Sequence, residues 1–259
     1  MPYVKSNGVR LAYDISGPEG APFLILSNSI ATTKAMWNPQ LDALSKEFRV
    51  VRYDTRGHGK SDVPFGPYSI DDLGQDVLGL LDKLKIDSAH FCGLSLGGMT
   101  GMWLASKYSE RVNKLVLCHC VSHIGNAEMW NKRIAHIREN GMSDIAFGQV
   151  ERWFRKGYDC SHPDIYRMFQ KGVCDTPVEG YVGCCAVLRD ADLSSLLSTI
   201  TSPTLVVGGR EDIATPPEKT RVVAQKIKNA EYMELEGGHL SNWDSETDFT
   251  NVLNDFLRC

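Results

Sequence analysis

Hydrophobic and polar positions change period repeatedly along the chain. Asn7-Gly8 separates two alternating runs, YVKS and VRLAYDI, which predicts an opening β-hairpin. Phe23-Leu24-Ile25-Leu26-Ser27 is a short apolar run of the buried-strand type. A helix signal begins at Pro39, and Arg49 to Asp54 reads as the next strand. Ser69 and Asp72 form an S-x-x-D helix start, followed by Leu73, Val77, Leu80, Leu81 and Leu84 at helical spacing. Ala89-His90-Phe91-Cys92 is another strand, then a helix from Met99 to Tyr108 and a strand from Lys114 to Cys118. The strand Thr204 to Val207, a helix from Pro217 to Ile227, the strand Tyr232 to Leu235 and a helix to Leu257 complete the series.

Strand and helix in alternation predict an α/β fold with a mostly parallel sheet and helices on both faces. Between residues 121 and 190 the rhythm breaks. That stretch has no clear strand and reads as several helices, for instance Ala127 to Glu139 and Ser143 to Phe154. The expected organisation is one core domain, residues 1–120 and 191–259, with an inserted helical cap over 121–190. No internal repeat or low-complexity tract is visible.

Composition narrows the function classes. The 259 residues carry a net charge of -4, with 42% hydrophobic and 23% charged positions, as in an ordinary soluble globular protein. No Lys/Arg block marks a nucleic-acid partner, and the apolar runs are too short for a membrane span. The N-terminus lacks the apolar stretch of a secretory signal, so a cytoplasmic protein is expected. Oligomeric state stays open. The eight cysteines are scattered without a C-x-x-C pair and read as reduced thiols. Cys118-His119-Cys120, with His123 nearby, raises the thought of a metal site. Strand alternation, however, sends Cys118 and His119 to opposite faces, so core packing is the expectation and no metal is predicted.

The chemistry centres on Gly93-Leu94-Ser95-Leu96-Gly97, a G-x-S-x-G motif between a strand and a helix. In a parallel sheet, ligands meet the protein outside the C-terminal strand ends. The motif holds its serine on a strained turn, with glycines where neighbouring backbone must pass closely. It exposes a nucleophilic Oγ at a helix start, where the Leu96 amide can donate to an oxyanion. A base and an orienting carboxylate should follow in the order Ser, acid, His. Among His136, His162 and His239, only His239 follows a strand at its C-terminal end; the other two fall in the helical insertion. The acid should end the preceding strand, where Asp212 is the favoured residue and Glu211 the neighbouring alternative. The predicted triad is Ser95, Asp212 and His239.

These residues resemble the α/β-hydrolase superfamily over the whole chain, and within it the 3-oxoadipate enol-lactonases of the β-ketoadipate pathway. The matching stretches are Leu26 to Leu44, Arg52 to Pro64 (RYDTRGHGKSDVP), Tyr68 to Asp82, His90 to Met99, Arg189 to Leu193 (RDADL) and the closing AEYMELEGGHLSNW. Ser-Asn-Ser after the third strand, RDADL and HLSN are the more specific features. Ala31 departs from the pattern, standing where glycine is expected.

The resemblance implies an α/β-hydrolase fold, no metal or organic cofactor, and Ser29 as donor of a second oxyanion-hole amide beside Leu96. It implies a small lactone bearing a carboxylate as substrate, opened through an acyl-enzyme to 3-oxoadipate. An arginine in the cap suits that carboxylate. Trp130 and Arg133, one helical step apart, are candidates for the pocket, with Arg189 as a competitor. Other readings are a carboxylesterase, another lactonase, a cofactor-free haloperoxidase-like enzyme, or a ligand receptor on a hydrolase fold.

Overall fold

The structure is a computed structural model, and it describes residues 2–258. Eight strands form one sheet in the order β1-β2-β4-β3-β5-β6-β7-β8. They are β1 (Tyr3–Ser6), β2 (Val9–Ser16), β3 (Phe23–Ser27), β4 (Arg49–Tyr53), β5 (Ala89–Leu94), β6 (Val112–Cys118), β7 (Thr204–Gly209) and β8 (Ala230–Leu235). The hairpin predicted at Asn7-Gly8 is present, with β1 antiparallel to β2 and β2 antiparallel to β4. All the remaining pairings are parallel. Strands β3 to β7 are buried along nearly their whole length, which explains why they read as continuous apolar runs rather than as alternation.

The helices among the core strands are α1 (Asn38–Leu44), α2 (Ile70–Lys83), α3 (Leu96–Lys107), α9 (Pro217–Lys226), α10 (Ser241–Asp244) and α11 (Glu246–Arg258). Ser69 and Asp72 cap α2 reciprocally, as the S-x-x-D pattern predicts. Helix α3 begins at Leu96, three residues before the sequence expectation of Met99. Its first turn holds Gly97 and Gly98, residues of low helix propensity that read as loop. Packing overrides that preference.

Between β6 and β7 the chain runs as α4 (Ala127–Asn140), α5 (Ser143–Glu151), α6 (Tyr158–Ser161), α7 (Pro163–Asp175) and α8 (Val178–Asp190). Helix α8 meets the β4–α2 loop backbone to backbone: a Cβ on Gly57 would lie 2.5 Å from the Gly180 Cα. Beneath that contact Arg56 forks onto Asp76 of α2, with two hydrogen bonds of 2.7 Å. No described helix is long and apolar enough to cross a membrane.

Candidate active site

Ser95 sits between the end of β5 and the start of α3, with φ +56° and ψ -114°. A non-glycine residue held in such a conformation costs about 1–3 kcal/mol, so its surroundings must fix it. The Ser95 N–H donates to the Cys118 carbonyl at 2.9 Å. The flanking glycines are required by close approach rather than by their own torsions. A Cβ on Gly93 would lie 2.1 Å from the Gly97 carbonyl oxygen, and one on Gly97 would lie 2.3 Å from that of Ser27.

The β3 end supplies the opposite wall. The Gly97 N–H donates to the Asn28 carbonyl at 3.0 Å, tying the loop after β3 to the first turn of α3. The residues that gave the Ser-Asn-Ser signal divide their work. Ser27 Oγ pairs with the Tyr53 hydroxyl at 2.7 Å, and Asn28 donates to the Tyr53 carbonyl at 2.7 Å. Asn28 Oδ1 accepts from Trp37 Nε1 at 3.1 Å. Ser29 then follows on an anchored loop. Its N–H meets only the weakly accepting Met36 sulfur at 3.2 Å, and its buried hydroxyl has no partner among the described residues. The Leu96 amide belongs to the first turn of α3, where a helix leaves its N–H groups without internal partners. Ser29 and Leu96 thus flank the Asn28–Gly97 hydrogen bond on its two sides.

The next residues stiffen the same loop. Ala31 has φ +58°, the left-handed conformation for which glycine is the ordinary choice. Its N–H donates to His58 Nε2 at 3.0 Å, while His58 Nδ1 faces the Arg56 carbonyl at 3.2 Å. Burial lowers the His58 pKa, the Arg56 carbonyl partly opposing it, which keeps a neutral acceptor under Ala31. The RGHG stretch is therefore a structural brace for the Ser29 loop.

The structure brings His239 and Asp212, the expected base and acid, into contact. His239 Nδ1 lies 2.9 Å from Asp212 Oδ2, and both residues are buried. Asp212 Oδ1 accepts from the N–H groups of Ala214 at 2.8 Å and Thr215 at 2.9 Å. Asp212 Oδ2 also accepts from Thr215 Oγ1 at 2.8 Å. Burial alone would raise the Asp212 pKa. The charge of His239, joined by hydrogen bonds from His119 and His239, outweighs it and holds the carboxyl well below the usual range. Glu211, the alternative acid, is an exposed residue and gains no contact with His239. His136 instead pairs with Asp144 at 2.6 Å and His162 with Ser161 at 2.8 Å, both away from the sheet edge.

The His239 loop is also walled by the helical segment after β6. A Cβ on Gly238 would lie 2.7 Å from the Trp153 carbonyl oxygen, which accepts from the Leu240 N–H at 2.8 Å. Asp244 Oδ2 accepts from both Gly238 N–H and Arg155 N–H, at 2.9 and 3.0 Å. The hydrogen bonds of His239 go to Asp212 and Thr215; among the described residues none joins it to the Ser95 hydroxyl. Such bonds are often long before substrate arrives.

One residue of this site was missed in the sequence. His119, directly after β6, places Nδ1 3.2 Å from Asp212 Oδ2 and Nε2 2.6 Å from Ser241 Oγ. Strand alternation separates it from Cys118 and so argues against a metal site without giving it a role; its side chain is fully buried. The usable signal was topological: it leaves the sheet at the same C-terminal edge as Ser95, Asp212 and His239. One ligand-type atom from each of His119, Asp212 and His239 lies within 4.8 Å of the others. Cys118 and Cys120 take no part in that group; Cys118 Sγ lies 4.0 Å from Cys92 Sγ.

The seven described cysteines are free, and Cys259 lies outside the described residues. Burial pushes the thiols of Cys118, Cys120 and Cys184 far up, and that of Cys185 to about 12. They are packing groups rather than rival nucleophiles. The three pocket candidates are not hydrogen-bonded to the acid–base pair. Arg133 donates to the Tyr181 hydroxyl at 2.7 Å and to Gln149, both neutral. Arg189 is forked onto Asp190 at 2.7 Å and reaches Asn131 at 2.8 Å, so its charge is already matched. Trp130 is half-buried, and its Nε1 has no partner among the described residues.

Comparison with known proteins places the chain in a family. A family model for the alpha/beta hydrolase fold matches residues 22–140. 3-Oxoadipate enol-lactonase 1 of Acinetobacter baylyi is 35% identical over 97% of this chain and 94% of its own. The chain belongs to the α/β-hydrolase family and is a hydrolase of that fold. Its likeness to enol-lactonases extends to structure. The enol-lactonase from Burkholderia xenovorans LB400 shares 43% identity and a TM-score of 0.98 over the whole of both chains. A Stutzerimonas stutzeri protein named as a carbamate hydrolase, RutD, is 30% identical over 92% of each chain.

Proposed function

We propose that this protein is a serine-nucleophile lactone hydrolase that opens a small carboxylated enol-lactone, 3-oxoadipate enol-lactone in the first instance. The observation that carries the reading is the 2.9 Å His239–Asp212 pair at the sheet edge where the strained Ser95 turn also ends. The whole-length likeness to the Burkholderia enol-lactonase supports the choice of substrate.

In this reading Ser95 Oγ attacks the ring carbonyl and passes its proton to His239 Nε2. Asp212 holds the imidazole in the Nδ1–H tautomer and stabilises the imidazolium. The carbonyl oxygen becomes an oxyanion and takes hydrogen bonds from the Ser29 and Leu96 amides. Each such donor contributes roughly 3 kcal/mol in the transition state. Collapse breaks the ring C–O bond and expels an enolate that stays tethered through the acyl chain and becomes the ketone on protonation. Water deprotonated by His239 then attacks the acyl carbon and frees Ser95. Every group in this route belongs to the chain itself, and the partner is a small molecule.

Residues 121–190 act as the cap over this site, with Trp153 to Arg155 against the His239 loop. Arg133 is the better candidate for the substrate carboxylate, because its present partners are neutral whereas Arg189 is paired with Asp190. Trp130 Nε1 offers a further unused donor. The test is a panel of the enol-lactone, a second lactone, a neutral p-nitrophenyl ester and a carbamate. The enol-lactone should have the highest kcat/KM, and Arg133→Ala should raise KM for it by about tenfold or more while sparing the neutral ester. An enol-lactone turned over no faster than the generic ester contradicts the substrate assignment, and equal KM effects on both contradict the role of Arg133.

A further inference from the structure

A second imidazole sits on the carboxylate of the proposed triad. His119 is fully buried at the end of β6, with φ +48°, an uncommon conformation for a histidine to adopt in a buried position. Its N–H donates to the Val207 carbonyl of β7 at 2.8 Å, and its own carbonyl, 2.9 Å from Thr215 Oγ1, competes with Asp212 Oδ2 for that single hydroxyl proton. The ring spans two elements: Nδ1 reaches Asp212 Oδ2 after β7, and Nε2 reaches Ser241 Oγ at the start of α10. The rings of His119 and His239 lie 5.8 Å apart, near edge-on. Both ring nitrogens of His119 are therefore used, although the mechanism above asks nothing of them.

We propose that His119 is a positioning residue that fixes Asp212 and, by sharing its Oδ2, weakens the hold of that carboxylate on the His239 imidazolium. This rests on the triad reading. With Nδ1 protonated, His119 donates to Asp212, and Nε2 accepts from the Ser241 hydroxyl. Asp212 Oδ2 then receives His239 and His119 together, with Thr215 Oγ1 as a third donor when its proton turns away from the His119 carbonyl. Spreading the carboxylate charge over several donors lowers the pull on the proton at His239. The charged and titratable groups facing His119 are Asp212, His239 and, from α10, Asp244, whose pKa burial raises against the hydrogen bonds of Gly238 and Arg155. Cys118 and Cys120 flank it in the chain with thiols that burial keeps protonated.

The consequence is a working range that extends further into acid than a single Asp–His pair allows. Replacing His119 by leucine removes the competing donor, so proton binding to His239 tightens. The acid limb of the kcat/KM–pH profile should move up by about half a unit or more. The plateau kcat should fall by about tenfold as Asp212 loses a tether, with KM little changed. His119→Asn, whose amide can still donate, should restore most of both. In the wild-type enzyme labelled with 15N-histidine, two strongly downfield Nδ1–H signals are expected, and this measurement does not depend on any variant folding. A single such signal, an acid limb unmoved in His119→Leu, or a loss confined to KM would overturn the proposal. Ser95→Ala separates this from the triad itself: an active Ser95→Ala enzyme contradicts the triad, whereas an unmoved acid limb contradicts only the role of His119.

Discussion

Asp212 is held by more donors than any other side chain of the site. Two backbone N–H groups fix Oδ1, and Thr215, His239 and His119 crowd Oδ2. The carboxyl lies well below its usual pKa, because the His239 charge and the hydrogen bonds of His119 and His239 outweigh its burial. Asp212→Asn keeps the shape but favours the wrong His239 tautomer, and kcat at neutral pH should fall by roughly 10³–10⁴-fold. Steady-state rates on the enol-lactone check this; a loss below tenfold would mean that His239 is oriented by some other group. At this scale the sequence was informative wherever chain order restricts the choice. Asp212 and His239 were legible because each follows a strand on the correct edge. His119 follows a strand on that same edge, but its apolar, cysteine-rich neighbours made it read as core.

Among elements, the decisive contact is between the helical segment and the β4–α2 loop. Gly57 and Gly180 touch backbone to backbone, and a Cβ on Gly180 would lie 1.9 Å from the Gly57 carbonyl oxygen. Backbone cannot swing aside as a flexible side chain can. Gly180→Ala should therefore force α8 off the loop and destabilise the fold by about 1–3 kcal/mol, as overpacking does. Denaturant melts of the variant and wild type measure this; an unchanged midpoint would mean that α8 is free to shift. The helices over 127–151 were legible from their spacing, and α4 begins at the expected Ala127. The start of α3 was not, because its glycines serve close packing against β3 and β5 rather than helix propensity. A pattern of hydrophobic positions carries no record of where two backbones must touch.

Across the whole molecule, parallel pairing brings the C-terminal ends of β3, β5, β6, β7 and β8 to one edge. Those ends contribute Ser29, Ser95, His119, Asp212 and His239 in turn. Alternating strands and helices were enough to predict that edge; the expectation of a hydrolytic site there came from the G-x-S-x-G motif and the order Ser, acid, His. The proposed substrate rests on resemblance, in Ser-Asn-Ser, RDADL and HLSN. Of these, Ser27 and Asn28 anchor a loop and Arg189 pairs with Asp190. The central claim is that Ser95 carries the acyl group, and comparing kcat of Ser95→Ala with wild type on the enol-lactone tests it most directly. The fold should survive, and hydrolysis should drop by roughly four to six orders of magnitude. Near-wild-type turnover in that variant would contradict the account.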